Sequence, residues 1–204
     1  MSDTDIPPLL LHVDGHDPRA MSAARWYAPA TEAEREVLRR LPGPVLDVGC
    51  GPARLVVALQ QLGQIALGID DSMAAVALAR SQGAAALCRS VFDSLPAEGR
   101  WGSVLLFDGN IGIAGDPAAL LQRVARLISP RGRIVVEVDP PGWPTATATA
   151  RLQRGGDHSR GFPWAVVAAD ALEHSLAAAG LRLKRWVTFD DRWLAICDVP
   201  QAGS

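Results

Sequence analysis

The run from Val45 to Leu55, VLDVGCGPARL, joins an apolar segment, an embedded acid and two glycines one residue apart. Gly49 and Gly51 let the backbone turn sharply and let a ligand approach it closely. The next apolar run ends at Asp70, 21 residues beyond Gly49. That is the spacing at which a carboxylate hydrogen-bonds a ribose diol in nucleoside-binding α/β sheets. Arg54 stands where a dinucleotide fingerprint needs its third glycine for close helix packing. No Lys-Ser or Lys-Thr pair follows to serve a nucleotide phosphate loop. Asp47 puts a negative charge just ahead of the turn, which is unsuited to a pyrophosphate and suited to an ammonium or sulfonium. These residues point to a cationic nucleoside; the competing reading is a tight turn that binds nothing.

Candidates for a general base are few. Asp108 closes the apolar run SVLLFD and should face the same mouth as the glycine turn. It reads equally as a turn carboxylate holding the backbone of Gly109 and Asn110. His158 falls in a long aperiodic stretch, and His12 and His16 in the N-terminal arm, where each reads as an acceptor-pocket residue or as a solvated loop histidine. His174 lies off the Leu172 and Leu176 stripe of its helix and belongs in solvent.

These groups need a scaffold, and strands and helices alternate along most of the chain. Residues 1–30 read as an arm or irregular cover, residues 31–204 as one domain. Thr31 and Glu34 form a capping box at the head of TEAEREVLRRLPG, which Pro42-Gly43-Pro44 ends. Apolar strands follow in PVLDVGC, QIALGID, AAALCRSVF, SVLLFD and RIVVEVD. Between them lie helices in ARLVVALQQLG, in MAAVALARSQG behind Ser72, and in PAALLQRVARLIS behind Asp116. Residues 139–163 have no clear period and read as a long lid or binding loop. A last helix, PWAVVAADALEHSLAAAG, precedes two runs joined so tightly around Asp190 and Asp191 that only an antiparallel hairpin fits. The fold class is α/β: a three-layer sandwich on a mostly parallel seven-stranded sheet with one antiparallel strand.

Composition narrows the partners. The chain has 204 residues, a formal net charge of −2 and a pI near 6.1. Nothing in that balance suits a phosphate backbone. Lys184 is the only lysine among 20 basic residues. Cys50, Cys88 and Cys197 are too scattered for a disulfide framework or a zinc site. The N-terminus begins with acids and a very short apolar run, so it is not expected to act as a signal peptide. No apolar run approaches the roughly 20 residues of a spanning helix. A cytoplasmic protein without a membrane or nucleic-acid partner is expected.

VLDVGCGPARL with ALGIDDS resembles the first two motifs of the class I S-adenosylmethionine-dependent methyltransferases, from about residue 25 to the end. The resemblance implies S-adenosylmethionine as cofactor, S-adenosylhomocysteine as product and a small-molecule acceptor as substrate. It places Gly49 and Gly51 against the methionine and ribose, Asp70 on the ribose hydroxyls, and Asp47 on the loop or the amino group. Asp71, Ser72, Ser90, Val91 and Phe92 fall on the adenine side, with Phe107 and Asp108 beside the cofactor and Arg25 on its carboxylate. Ala53 replaces the family's third glycine, and Ser90 stands where an acid often reaches the adenine amino group. Asp108-Gly109-Asn110-Ile111 lacks the Pro-Pro-aromatic signature of the enzymes that methylate base amino groups. Trp26, Tyr27, Asn110, Trp143, Arg160, Phe162 and Trp164 are then candidates for an apolar or aromatic acceptor pocket, although Trp26 and Trp164 also read as staples at helix entrances. No metal is implied. The other readings are a protein that binds the cofactor without chemistry and a nicotinamide oxidoreductase.

Overall fold

A computed structural model describes residues 9–15, 17–21 and 23–200. The strands β1 (Leu9–Val13) and β2 (Arg19–Met21) open the chain, followed by helices α1 (Ala23–Tyr27) and α2 (Glu32–Arg39). Next come β3 (Val45–Val48), α3 (Arg54–Gln61), β4 (Ala66–Asp70), α4 (Met73–Ser81), β5 (Ala86–Cys88) and β6 (Trp101–Leu106). A 3-10 turn over Asn110–Gly112 leads to α5 (Pro117–Leu127) and β7 (Ile128–Val138). The chain then makes β8 (Ala146–Arg154), β9 (Asp157–His158), β10 (Phe162–Val166), α6 (Leu172–Ala178), β11 (Arg182–Phe189) and β12 (Arg192–Asp198).

The main sheet has seven strands in the order β11-β12-β7-β6-β3-β4-β5. Its central pairings are parallel, and β12 runs antiparallel to both β7 and β11. The fold is therefore the expected Rossmann-like arrangement. Local chemistry sets its boundaries. Glu34 N donates to Thr31 Oγ1 at 3.2 Å while Thr31 N donates to Glu34 Oε2 at 2.8 Å, closing the capping box. Ser72 and Asp116 accept from the backbone of Ala75 and Ala119 at the heads of α4 and α5. Asp190 and Asp191 both have positive φ, as a two-residue hairpin turn requires.

Alternate strand residues feed opposite layers. Leu46, Val104, Leu106, Ile134 and Val136 pack with α5 and α6, while Val45, Leu105, Phe107 and Val135 pack with α2, α3 and α4.

Two expectations need correction. The segment 139–163 is not a loop, and the arm is not irregular. β8, β9 and β10 pair with β1 and β2 in a separate five-stranded antiparallel sheet, β10-β8-β1-β2 with β9 on β8. Its inner face carries Leu11, Val13, Ala150, Leu152, Phe162 and Trp164. The last helix is also shorter than expected, because Phe162–Val166 pairs with β8 and helix begins only at Leu172. AAALCRSVF is strand only over Ala86–Cys88.

The small sheet docks on the main one at Gly112. A β-carbon there would lie 2.1 Å from Ala165 O and 2.6–2.8 Å from the Trp164 indole. Gly112→Ala should therefore separate the two sheets, costing about 1–3 kcal/mol by overpacking. The measurement is urea unfolding followed by tryptophan fluorescence, and an unchanged midpoint would refute this account of the docking.

Candidate active site

The carboxyl ends of β3, β4 and β6 meet at one cleft, as expected where a strand passes into its helix in an open α/β sheet. Gly49, Gly51 and Ala53 all have positive φ, at 69°, 54° and 67°. This geometry wraps the chain tightly around the end of β4: Gly49 N and Cys50 N both donate to Ile69 O, at 2.9 and 3.0 Å. A β-carbon on Gly68 would meet Cys50 Sγ at 2.6 Å, so glycine also lets the turn lie against β4.

Asp70 organises the turn from the neighbouring strand. Its Oδ2 accepts from Gly51 N at 2.8 Å and its Oδ1 from Ser72 N at 2.9 Å. Each carboxylate oxygen has a second lone pair, so both can still accept from a diol. Asn110 closes the other side, donating through Nδ2 to Val48 O and Gly49 O at 2.8 and 3.0 Å. A side chain at Gly49 would strike that amide at 2.5 Å, whereas one at Gly51 would meet no protein atom within 4 Å.

The resulting cleft has a volume of about 600 Å³. Its floor is Asp47, the glycine turn and Asp70, and one end is formed by Asp71, Arg89, Ser90 and Val91. The small sheet roofs it with Leu11, Leu152, Phe162 and Trp164, and Trp26 of α1 joins them. A side chamber of about 110 Å³ shares Leu11, Trp26, Asp108 and Trp164 and adds Arg25, Glu137 and Asp139.

Behind this wall lies a buried ion network. Arg54 donates to Glu34 Oε2 at 2.7 Å and to both oxygens of Asp108 at 2.9 and 3.2 Å. Arg192 donates to both oxygens of Glu137, at 2.7 and 2.5 Å, and to Glu34 Oε1, with Asp108 Oδ1 at 3.4 Å. Its guanidinium also sits 5.4 Å from the ring centres of Phe107 and Phe189. Burial raises the Glu34 carboxyl, but hydrogen bonds from Arg54 and Arg192 outweigh it and hold it below the usual range. At Asp108 burial prevails over the Arg54 charge, and the carboxyl lies above its usual value. Burial also pushes the Cys50 thiol up, which leaves it inert at neutral pH.

Of the residues singled out in the sequence, Asp47, Gly49, Gly51, Asp70, Asp71, Ser90 and Val91 line the cleft. So do Phe107, Asp108, Asn110, Trp26 and Trp164. Arg25 lines the side chamber alone. Ser72 instead caps α4, and Phe92 is 45% exposed beyond the cleft. His158 is not brought to the site: it is exposed on β9, with its ring 6.1 Å from that of His12. His12 itself bonds Gln153 Oε1 at 2.6 Å, and His16 lies outside the described residues. Tyr27, Trp143 and Arg160 are exposed and line neither cavity.

The sequence reading missed the charges behind the wall. Glu34 carried a visible signal as a capping-box acid, but nothing local tied it to Arg54, Arg192 or Glu137. Arg89 and the roof residue Leu152 were missed as well.

Three comparisons bear on this geometry. Residues 45–132 match a family described as a methyltransferase domain. An uncharacterized protein of Mycobacterium tuberculosis is 28% identical over 179 residues, covering 83% of this chain and 60% of its own. The chain thus spans about 60% of the length of that curated relative. A SAM-dependent methyltransferase from Bacteroides fragilis, solved with S-adenosyl-L-homocysteine, superposes with a TM-score of 0.78 at 19% identity, covering 98% of this chain and 90% of its own. The sugar N-methyltransferase KedS8 from Streptoalloteichus sp. ATCC 53650 gives 0.61 at 22% identity, with 84% and 88% covered.

Removing one member of the network leaves buried charge uncompensated. Arg192→Met should destabilise the protein by about 3–5 kcal/mol, read from urea unfolding; a loss within experimental error would show that the network carries no stability. Over residues 45–132 the chain matches the methyltransferase-domain family, and across its length it has the class I S-adenosylmethionine-dependent methyltransferase fold.

Proposed function

We propose that the protein transfers a methyl group from S-adenosylmethionine to a small-molecule acceptor. The observation that carries this reading is the cleft floor. A left-handed glycine turn is locked to Asp70, and beside it lies Asp47, a carboxylate 3% exposed with no hydrogen-bond donor among the described residues. A buried carboxylate without a donor is costly unless a ligand supplies the positive charge. The cofactor's ammonium or sulfonium would supply it. The bound S-adenosyl-L-homocysteine of the Bacteroides fragilis relative and the sugar acceptor in the name of KedS8 support the same reading.

Asp70 would hold the ribose hydroxyls, and Gly51 would let the cofactor lie against the backbone. Asp71, Arg89, Ser90 and Val91 would receive the adenine. Ser90 Oγ already accepts from Phe92 N at 3.2 Å, so its recognition of the base is shared with its own turn.

When bound, S-adenosylmethionine supplies an activated methyl group, and the remaining work is positioning. Well-oriented reactants gain roughly 7–11 kcal/mol over free encounter. Leu11, Trp26, Phe162 and Trp164 exclude water above the floor and offer an acceptor with an apolar or aromatic body a complementary wall. Asp108 is engaged by Arg54 through both oxygens, so it shapes the wall, and taking a proton there would weaken that ion pair. Among the described residues no helix is long and apolar enough to cross a membrane.

Calorimetric titration with S-adenosylhomocysteine tests the cofactor, and label transfer from S-adenosylmethionine into metabolite pools tests the chemistry. Saturable binding with turnover is expected, and binding without turnover would leave a cofactor-binding protein. Gly51→Ala puts its methyl where no protein atom stands within 4 Å, at a cost of about 1–2 kcal/mol for the left-handed backbone, as at Ala53, so it should keep the circular dichroism spectrum. It should nevertheless abolish S-adenosylhomocysteine binding; retained affinity would place the ligand elsewhere.

A further inference from the structure

Asp47 has a second property that the proposed function does not use. It sits on the face of β3 that packs with α2 and α3, and charged groups surround it. Arg54 of α3, Asp70 at the end of β4, Asp108 beyond β6 and Cys50 of the turn line the same cleft, and the charge of Glu34 of α2 also reaches it. Arg54 is the cation among these, and its guanidinium is already bonded to Glu34 and Asp108. Arg192 and Glu137, beyond Asp108, are bonded to each other. The carboxylate therefore has no cation of its own among the described residues.

We infer that Asp47 is protonated in the empty cleft and releases that proton to solvent when the cationic cofactor enters. Cofactor binding and proton release are then one linked event. The inference rests on the cofactor reading above. The O–H bond of the Asp47 carboxyl breaks, the proton passes to water or buffer, and the carboxylate pairs with the cofactor's positive charge.

The electrostatics agree with the geometry. Burial raises the Asp47 carboxyl most; the Arg54 charge opposes it, and Asp108, Asp70 and Glu34 add to it, pushing it up to about 8. The unfolded chain has an ordinary carboxyl near 4. Between those values the folded, empty protein binds more protons than the unfolded chain, so this group lowers stability as pH rises from about 4 to about 8. A ligand that prefers the ionised form binds more tightly over the same rise.

The test is calorimetric titration of S-adenosylmethionine, the cationic form, at pH 7 in phosphate and in Tris, which differ widely in ionisation enthalpy. A carboxyl at about 8 is largely protonated at pH 7, so more than roughly half a proton should be released per ligand bound. Affinity should rise by about an order of magnitude between roughly pH 6.5 and 7.5. Asp47→Asn should bind more weakly, with heats that no longer depend on the buffer. Buffer-independent heats in the parent protein, or an unchanged proton release in Asp47→Asn, would overturn the inference while leaving cofactor binding intact. Should Asp47→Asn fail to fold, the pH dependence of the parent protein decides alone, and a flat profile overturns the proposal. Failure of S-adenosylhomocysteine to bind at any pH would sink the cofactor reading itself.

Discussion

The buried contact among Glu34, Arg54, Asp108, Glu137 and Arg192 is the constraint on which the site depends. Burying charge is expensive, and such a cluster holds only when nearly every oxygen and guanidinium nitrogen finds a partner. Here Arg54 and Arg192 each bridge more than one carboxylate, and Glu34 also accepts from the backbone of Thr31. These five side chains come from α2, α3, the turn after β6, β7 and β12. One network thus ties the helix preceding the sheet to the hairpin that ends it, across the mouth of the first strand. Three acids against two guanidiniums leave an excess negative charge behind Asp47, which ties the scaffold's charge to that of the cleft.

The two sheets divide the remaining work. The parallel sheet supplies a rigid floor because β3, β4 and β6 are buried on both faces and end together. The antiparallel sheet supplies the roof from the beginning of the chain and from the segment after β7. Its apolar face is covered by the cleft and by the 3-10 turn, and its outer face bears His12, Arg151 and Gln153. Floor residues offer a ligand backbone groups and carboxylates. Roof residues meet whatever lies above it through indole, phenyl and aliphatic groups.

What could be read from the sequence was local. Capping boxes, the Asp190-Asp191 turn and the glycine turn are each written within a few residues, and the spacing of Asp70 follows from the length of one βα unit. The roof was not legible because β8, ATATARLQR over Ala146–Arg154, begins by alternating alanine with threonine. Period-two patterning is faint when the inward residue is so small. β10 contains Pro163, which suits an edge strand and yet reads in isolation as the head of a helix. The alanines that follow extend that false helix. The ion network escaped for another reason: Glu34 and Arg192 are 158 residues apart, and no pattern along the chain announces their meeting.

In the proposed reaction, methyl transfer would move positive charge out of the cofactor, and the charges lining the cleft would respond to it. With a cationic ligand in place, Asp47 could stay ionised in spite of its burial, because the opposite charge would act on it at short range. Were the sulfonium to become a thioether, that attraction would be weaker, and the carboxylate would again feel chiefly Asp70, Asp108 and Glu34. Its affinity for a proton would therefore climb as the product forms. On the proposed reading, the same unpartnered carboxylate that would favour entry of the charged cofactor would hold the spent one less firmly, and the excess negative charge of the network behind it would add to that difference.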